Sequence, residues 1–362
     1  MDKKRILITS LAIAVLGTLV YLQIRHWKSF DWATFWEQSS HVRPWHLFHA
    51  VALIYLADAV RAVRWKIFLR PTRPKASITR LLSPTYIGFA GLALLGRPGE
   101  FIRPYMIAKR EDLTISSQIG VWLVERIFDI GGFAVLMVYA IFSPWAKRDF
   151  PHPEYYERFR DGGLGVMGIV LLLAIAAVII NARGPHIADW LEKQFSHRGA
   201  AVSHRIAQKM RDFAAGLHTI HGWGSLLQLI ALSIGIWWLI AVAYHEVTIS
   251  YHQTAHVFGE DPLDIPLLQV LLLMGSSMVG SVVQLPGVGG GSQLATIATL
   301  DRVFDVPQEL AVSCGMMLWL VTFFSVVPLG LYLAHREHLS LRKISQESHA
   351  RPEDQPALKG GN

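Results

Sequence analysis

The sequence holds a single cysteine, Cys314, in 362 residues. It lies inside an apolar run, which excludes disulfides and cysteine-based metal sites. Charge is scarce too, at 17% of residues against 52% hydrophobic, with 12 Trp among them. That leaves too little polar surface for a soluble domain, so the chain reads as one polytopic membrane domain. His245-Glu246 lacks the second histidine of HExxH, and no acidic metal-binding pair, nucleophile elbow or donor-nucleotide motif is evident. His252 and His256 are four apart in an outer loop and read as plain interface. No metal, cofactor or enzymatic activity is expected. The net charge of +7 does not call for nucleic acid, because the basic residues cluster in short loops between apolar runs.

What the chain has in abundance is apolar runs. The first, Ile6–Ile24, follows "MDKKR" without a cleavage site, and is expected to be a retained helix with a cytoplasmic N-terminus. Others cover roughly Trp45–Val63, Ile78–Leu95, Ile119–Ser143, Gly163–Asn181, Leu226–Ser250, Leu267–Leu285 and Val312–Ala334. If all eight cross, Lys and Arg divide almost evenly between the two sides. If Ile78–Leu95 and Leu267–Leu285 instead dip in and return, 24 of the 34 fall inside and 8 outside, leaving Arg61 and Arg126 within spans. The positive-inside rule selects the second arrangement. Both dips carry breakers: Pro84, Gly88, Gly91, Gly96, Pro98 and Gly99 in or beside one, Gly275, Gly280, Pro286 and Gly287 in or beside the other. The expected fold is all-α, with six full spans and two opposed re-entrant hairpins. It places "GRPGEFIRPYMIAKR" (96–110) and both termini on the cytoplasmic side of the inner membrane.

Span, dip and span over 45–143 recur over 226–334, at offsets near 181, 189 and 193, and enter from opposite sides. That is an inverted-topology repeat, a transporter signature. The membrane domain is expected over 1–340, with a disordered cytoplasmic tail at 341–362. Ser29–Gln38 reads as an outer interfacial segment and 186–223 as an amphipathic cytoplasmic helix.

A charge at mid-membrane costs about 2.5–3.5 kcal/mol on insertion scales, so each needs a partner or a task. Asp58 and Arg61 are spaced to pair, as are Arg126 and Asp129, while Glu125 and Asp129 share a helix face. These sets are either polar locks or part of a site. Glu100 is either a helix cap after Pro98-Gly99 or a proton-carrying group between Arg97 and Arg103, which are spaced to converge on it. In "LPGVGGGSQL", Gly289, Gly290 and Gly291 free backbone N–H groups, and a new helix is expected near Ser292. Such a helix start holds anions, with Ser276, Ser277 and Gln293 adding polar groups.

The stretch 96–110, Arg64-Trp65, "ERIFD" (125–129) and "LPGVGGGSQ" (285–293) resemble the flippase-like transmembrane domain of lysylphosphatidylglycerol synthases. The resemblance implies movement of a lipid, or a lipid-linked head group, across the membrane. In that reading Arg61, Arg97, Arg103 and Arg126 hold the phosphate of an anionic phospholipid or polyprenyl-phosphate-linked lipid. Asp58, Glu100, Glu125 and Asp129 set charge or relay protons, and Pro98-Gly99 and Pro286-Gly287 shape the cavity. The soluble aminoacyl-transfer domain is absent, so lysyl-lipid synthesis is not expected. Gln293 stands where many members carry a glutamate, so an acid–base role there is not carried over. A membrane enzyme or accessory subunit in lipid glycosylation or head-group modification, and a lipid-sensing scaffold, are the competing readings. Partners beyond the lipid are a second copy of the chain or a lipid-modifying enzyme.

Overall fold

The computed structural model describes residues 31–144, 152, 155–168, 171, 172, 175, 223–251, 262–281, 284, 285 and 289–337. The expected first span, all but the last residue of the connector helix 186–223, and the tail lie outside these residues, as does most of the run Gly163–Asn181. Among the described residues the chain is helical apart from one short ladder. A short helix α1 (Trp32–Ser40) precedes α2 (Pro44–Leu69), α3 (Ile78–Leu95), α4 (Ile102–Arg110) and α5 (Ile115–Phe142). After the gap come α6 (Trp223–Ile249), α7 (Leu267–Gly280), α8 (Gly291–Val303), α9 (Gln308–Trp319) and α10 (Val326–Arg336). Among the described residues, four helices are long and apolar enough to cross a bilayer: α2, α3, α6 and the bent helix Gln308–Arg336. Helix α5, at 28 residues, also exceeds a bilayer core in length and carries Glu125, Arg126 and Asp129.

Helices α2 and α6 run antiparallel. His46 Nδ1 meets Glu246 Oε2 at 2.6 Å near one end, and Arg70 donates to Gln228 at 3.0 Å near the other. The Arg70 end also gathers Arg73, which donates to the Glu111 carbonyl, and the Arg110–Glu337 ion pair. The opposite end gathers the bonds of Ser313 to Ser39 and Tyr251, and His152 against Asp305. The pairings order the elements along one axis.

The first dip differs from expectation in where it turns. Ile78–Leu95 is one continuous helix despite Pro84, and the chain turns only after it. Gly96 takes φ 70°, ψ −151°, a conformation open to glycine, and a 3-10 turn Arg97–Phe101 leads into α4. Helix α4 then runs back along α3 until Arg110 lies beside Arg80, each guanidinium donating to the other's carbonyl at 2.7 Å. Pro84 has no N–H for the Arg80 carbonyl, and the Arg110 guanidinium takes that acceptor. The 96–110 stretch is therefore the tip and return arm of a helical hairpin, not a loop beyond one. Gly88 and Gly91 are contact points for the return arm. A Cβ on Gly88 would stand 2.6 Å from Arg103 Cβ, and one on Gly99 2.1 Å from the Gly91 carbonyl oxygen. Gly99→Ala is accordingly expected to cost about 1–3 kcal/mol or more. Thermal unfolding in detergent checks this; a variant as stable as the parent would mean that the arms pack differently.

The second hairpin is built alike. Helix α7 rises to Gly280, the backbone pairs antiparallel over Gln284–Leu285 and Gly289–Gly290, and α8 starts at Gly291 and returns. Gly290 has φ 109°, and a Cβ on Gly280 would lie 2.2 Å from the Gly291 carbonyl oxygen. Gly280 and Gly291 stand 189 positions after Gly91 and Ile102, which meet in the first hairpin. The offset read from the apolar runs thus relates two packing contacts. The tips touch: Arg97 donates to the Ser281 carbonyl at 2.8 Å. Between α9 and α10 the helix widens to a π-turn over Leu320–Phe324, just where Pro328 withholds an N–H from the Phe324 carbonyl. Tyr55 donates to the neighbouring Ser325 carbonyl at 2.7 Å.

Candidate functional site

Helix α2 continues past the expected end at Val63 to Leu69, which moves Arg64 from a loop into the protein interior. Arg64 is fully buried. Its Nη1 donates to Ser233 Oγ at 2.8 Å, and its Nη2 to Glu125 Oε1 at 2.8 Å and Asp129 Oδ1 at 2.6 Å. The signal was present in the sequence: Ala62, Trp65, Ile67, Phe68 and Leu69 continue the apolar helix, and the first breaker is Pro71.

Arg103 is the second surprise. It does not turn to Glu100. Helix α4 carries it along α3 to α5, where it donates to Glu125 Oε2 and lies over the rings of Trp65 at 4.5 Å and Phe89 at 5.3 Å. Trp65 is held by its own bond to Gln118 at 3.1 Å. Arg126 reaches Asp129 Oδ2 at 2.9 Å and Glu125 Oε2 at 3.5 Å, with a third of its side chain exposed. Three arginines from α2, α4 and α5 therefore enclose two carboxylates of α5, a formal excess of one positive charge. Asp58 and Arg61 close their own pair at 2.7 Å, with Arg61 over Phe89 at 4.7 Å. Arg97 and Glu100 pair at 3.0 Å at the hairpin tip.

Gly88, Phe89, Glu100, Arg103, Trp122 and Arg126 line a cleft of about 260 Å³ beside this cluster. Among the described residues Arg103 Nη1 and Arg126 Nε are buried without a hydrogen-bond partner. In an apolar environment each such donor is costly. The arrangement offers an anion unspent donors and an unbalanced charge.

The remaining candidates divide. Ser277, Ser292 and Gln293 line a second pocket of about 170 Å³ against α6 and the α9–α10 bend. Ser276 does not; its hydroxyl donates to the Leu273 carbonyl of its own helix at 2.7 Å. Gly289 and Gly290 form the ladder strand, and Gly291 opens α8. Pro286 and Gly287 lie outside the described residues. No charged residue lines this pocket among the described residues.

Fold and cleft together define a multi-pass helical membrane protein with an arginine–carboxylate cluster buried between a helical hairpin and its flanking helices. The chain matches the family described as Lysylphosphatidylglycerol synthase TM region over residues 7–330, and it belongs to that family. It is also similar to a UPF0104 membrane protein of Methanothermobacter thermautotrophicus. The two are 22% identical over 315 residues, spanning 80% of this chain and 83% of the relative. No solved structure matches the chain.

Proposed function

We propose that the protein is a flippase, moving a lipid with an anionic head group across the cytoplasmic membrane. The observation that carries this reading is the unbalanced cluster of Arg64, Arg103 and Arg126 around Glu125 and Asp129, with unsatisfied Arg103 and Arg126 donors beside the cleft. A buried cluster that served only as a lock would be expected to balance its charge. Here one anion completes the balance. In this reading both hairpins are re-entrant, six helices cross fully, and the touching tips sit near mid-membrane, where inverted-repeat transporters hold substrate. Glu100, on the cleft wall and paired with Arg97, is placed to modulate release.

Reconstituted protein is expected to translocate phosphatidylglycerol or phosphatidic acid faster than phosphatidylcholine. Equal rates, or none above protein-free vesicles, would overturn the reading. Orientation has its own check. In a Cys314→Ser background, Asp112→Cys at the Arg110 end and Glu37→Cys in α1 are expected to label from opposite faces, cytoplasmic and external. Labelling of both from one face of intact cells removes the proposed topology.

A further inference from the structure

The second pocket stands to the second hairpin as the charged cleft stands to the first. Gly88 and Arg103 of the cleft have Ser277 and Ser292 at the 189-residue offset of the hairpins, and both line the second pocket. At the 193-residue offset of the following helices, Glu125, Arg126 and Asp129 have Leu318, Trp319 and Thr322 as counterparts, all three on the pocket wall. Equivalent positions in the two halves thus build two pockets of opposite chemistry. Arg103, Glu125, Arg126 and Asp129 are replaced by a hydroxyl, an aliphatic chain, an aromatic ring and a hydroxyl in the second.

The polar groups of the second pocket are not all consumed by the fold. Tyr244 and Ser277 share a hydroxyl–hydroxyl bond at 3.2 Å, and the Thr322 hydroxyl donates to the Leu318 carbonyl at 2.7 Å. By contrast, the Ser292 hydroxyl and the Gln293 side-chain amide have no hydrogen-bond partner among the described residues. Ser292 is 5% exposed. An amide brings two donors and an acceptor, and a hydroxyl brings one donor and an acceptor. Beside them stand the rings of Tyr244 and Trp319. Mixed donors and acceptors next to aromatic faces, without a charge, match a group that itself both donates and accepts and carries no charge.

We infer that this second pocket binds the uncharged, hydroxyl-bearing part of a lipid head group, a glycerol or a single sugar unit. The inference rests on the reading that the protein handles lipid head groups, and it adds a neutral site to the anionic one. A phosphate is disfavoured here: among the described residues no cation lines the pocket, and the ionised group would meet Ser292 and Trp319 where the first cleft offers arginine.

The test uses the full chain in phosphatidylcholine nanodiscs, with binding read by native mass spectrometry. The probes are monohexosyl diacylglycerol, phosphatidylglycerol, phosphatidic acid and plain diacylglycerol. Monohexosyl diacylglycerol is expected to bind better than diacylglycerol if the hydroxyls are a sugar's, and phosphatidylglycerol better than phosphatidic acid if they are glycerol's. Ser292→Ala and Gln293→Leu are each expected to weaken the preferred hydroxylated lipid about threefold to tenfold, the loss of one or two neutral hydrogen bonds. Phosphatidic acid binding should stay within about twofold. Gln293→Glu, which keeps an acceptor of the same shape, should retain hydroxylated-lipid binding and serves if Gln293→Leu fails to fold. No preference for either hydroxylated lipid overturns the inference, as do variants that weaken phosphatidic acid equally. If phosphatidic acid binds no better than phosphatidylcholine while the hydroxylated preference holds, the anionic-lipid reading falls and the neutral pocket stands.

Discussion

Arg64→Met is expected to cost about 3–5 kcal/mol of stability, the largest effect of any single substitution considered. Methionine follows the arginine stem but leaves Glu125 Oε1 and Asp129 Oδ1 without their closest buried cation, and Ser233 without a donor. Arg103 and Arg126 stay bonded to the other carboxylate oxygens, so the cluster becomes formally neutral yet poorly solvated. Two consequences follow from that one change. The protein should unfold earlier on heating in detergent or nanodiscs, and its preference for anionic lipid should fade, because the surplus positive charge is gone. Arg64→Met combined with Asp129→Asn removes one charge of each sign, and should recover most of the lost stability and some of the lipid preference. If the single variant melts with the parent, Arg64 is not what holds the cluster.

The second large effect falls on transport rather than on folding. Arg126 is bonded to the same carboxylates but keeps a third of its side chain exposed beside the cleft, so removing its charge strands less buried partner than removing Arg64 does. Arg126→Gln is expected to weaken anionic-lipid binding about tenfold to a hundredfold, the range of one charged hydrogen bond, with folding nearly intact. Glu100→Gln should act in the opposite sense on binding. It takes a negative charge from the cleft wall and frees Arg97, so lipid binds as tightly or more so, while turnover falls because release is slowed. Binding and translocation measured on the same reconstituted variants separate the two. A Glu100→Gln protein that binds and moves lipid like the parent reduces Glu100 to the partner of Arg97.

The contacts legible in the sequence are those fixed by a single helix. Asp58–Arg61 and Arg126–Asp129 are three apart, and helical geometry alone brings them within reach. Arg64 and Arg103 were not legible, because their partner Glu125 lies 61 and 22 residues away on another element. Spacing therefore offered Arg103 the nearer Glu100, whereas the hairpin turns it toward α5. The glycines were misleading in a related way. Gly88 and Gly91 read as breaks, yet they lie in an unbroken helix and serve to admit α4 at close range, a demand no local pattern reveals. By contrast, the near-coincident offsets of the two halves were visible as hydropathy. Their consequence at atomic scale, Gly91 against Ile102 and Gly280 against Gly291, needed the packed hairpins.

The placement of the charges bears on how such a chain is made. Arg61, Arg64, Arg97, Arg103 and Arg126 are paired with Asp58, Glu100, Glu125 and Asp129, so these ion pairs join residues between positions 58 and 129. During synthesis the N-terminal half emerges first. A nascent chain that has inserted α2, the first hairpin and α5 already holds both members of each of these pairs. It can bring its costliest side chains together before α6 exists, and only the Ser233 hydroxyl arrives later. The second half, whose pocket is uncharged, then docks onto a partner that has already hidden its charges from lipid. A chain truncated shortly after α5 should consequently be retained in the membrane, whereas one truncated within α3 would present Arg64 to lipid with Glu125 and Asp129 still unmade.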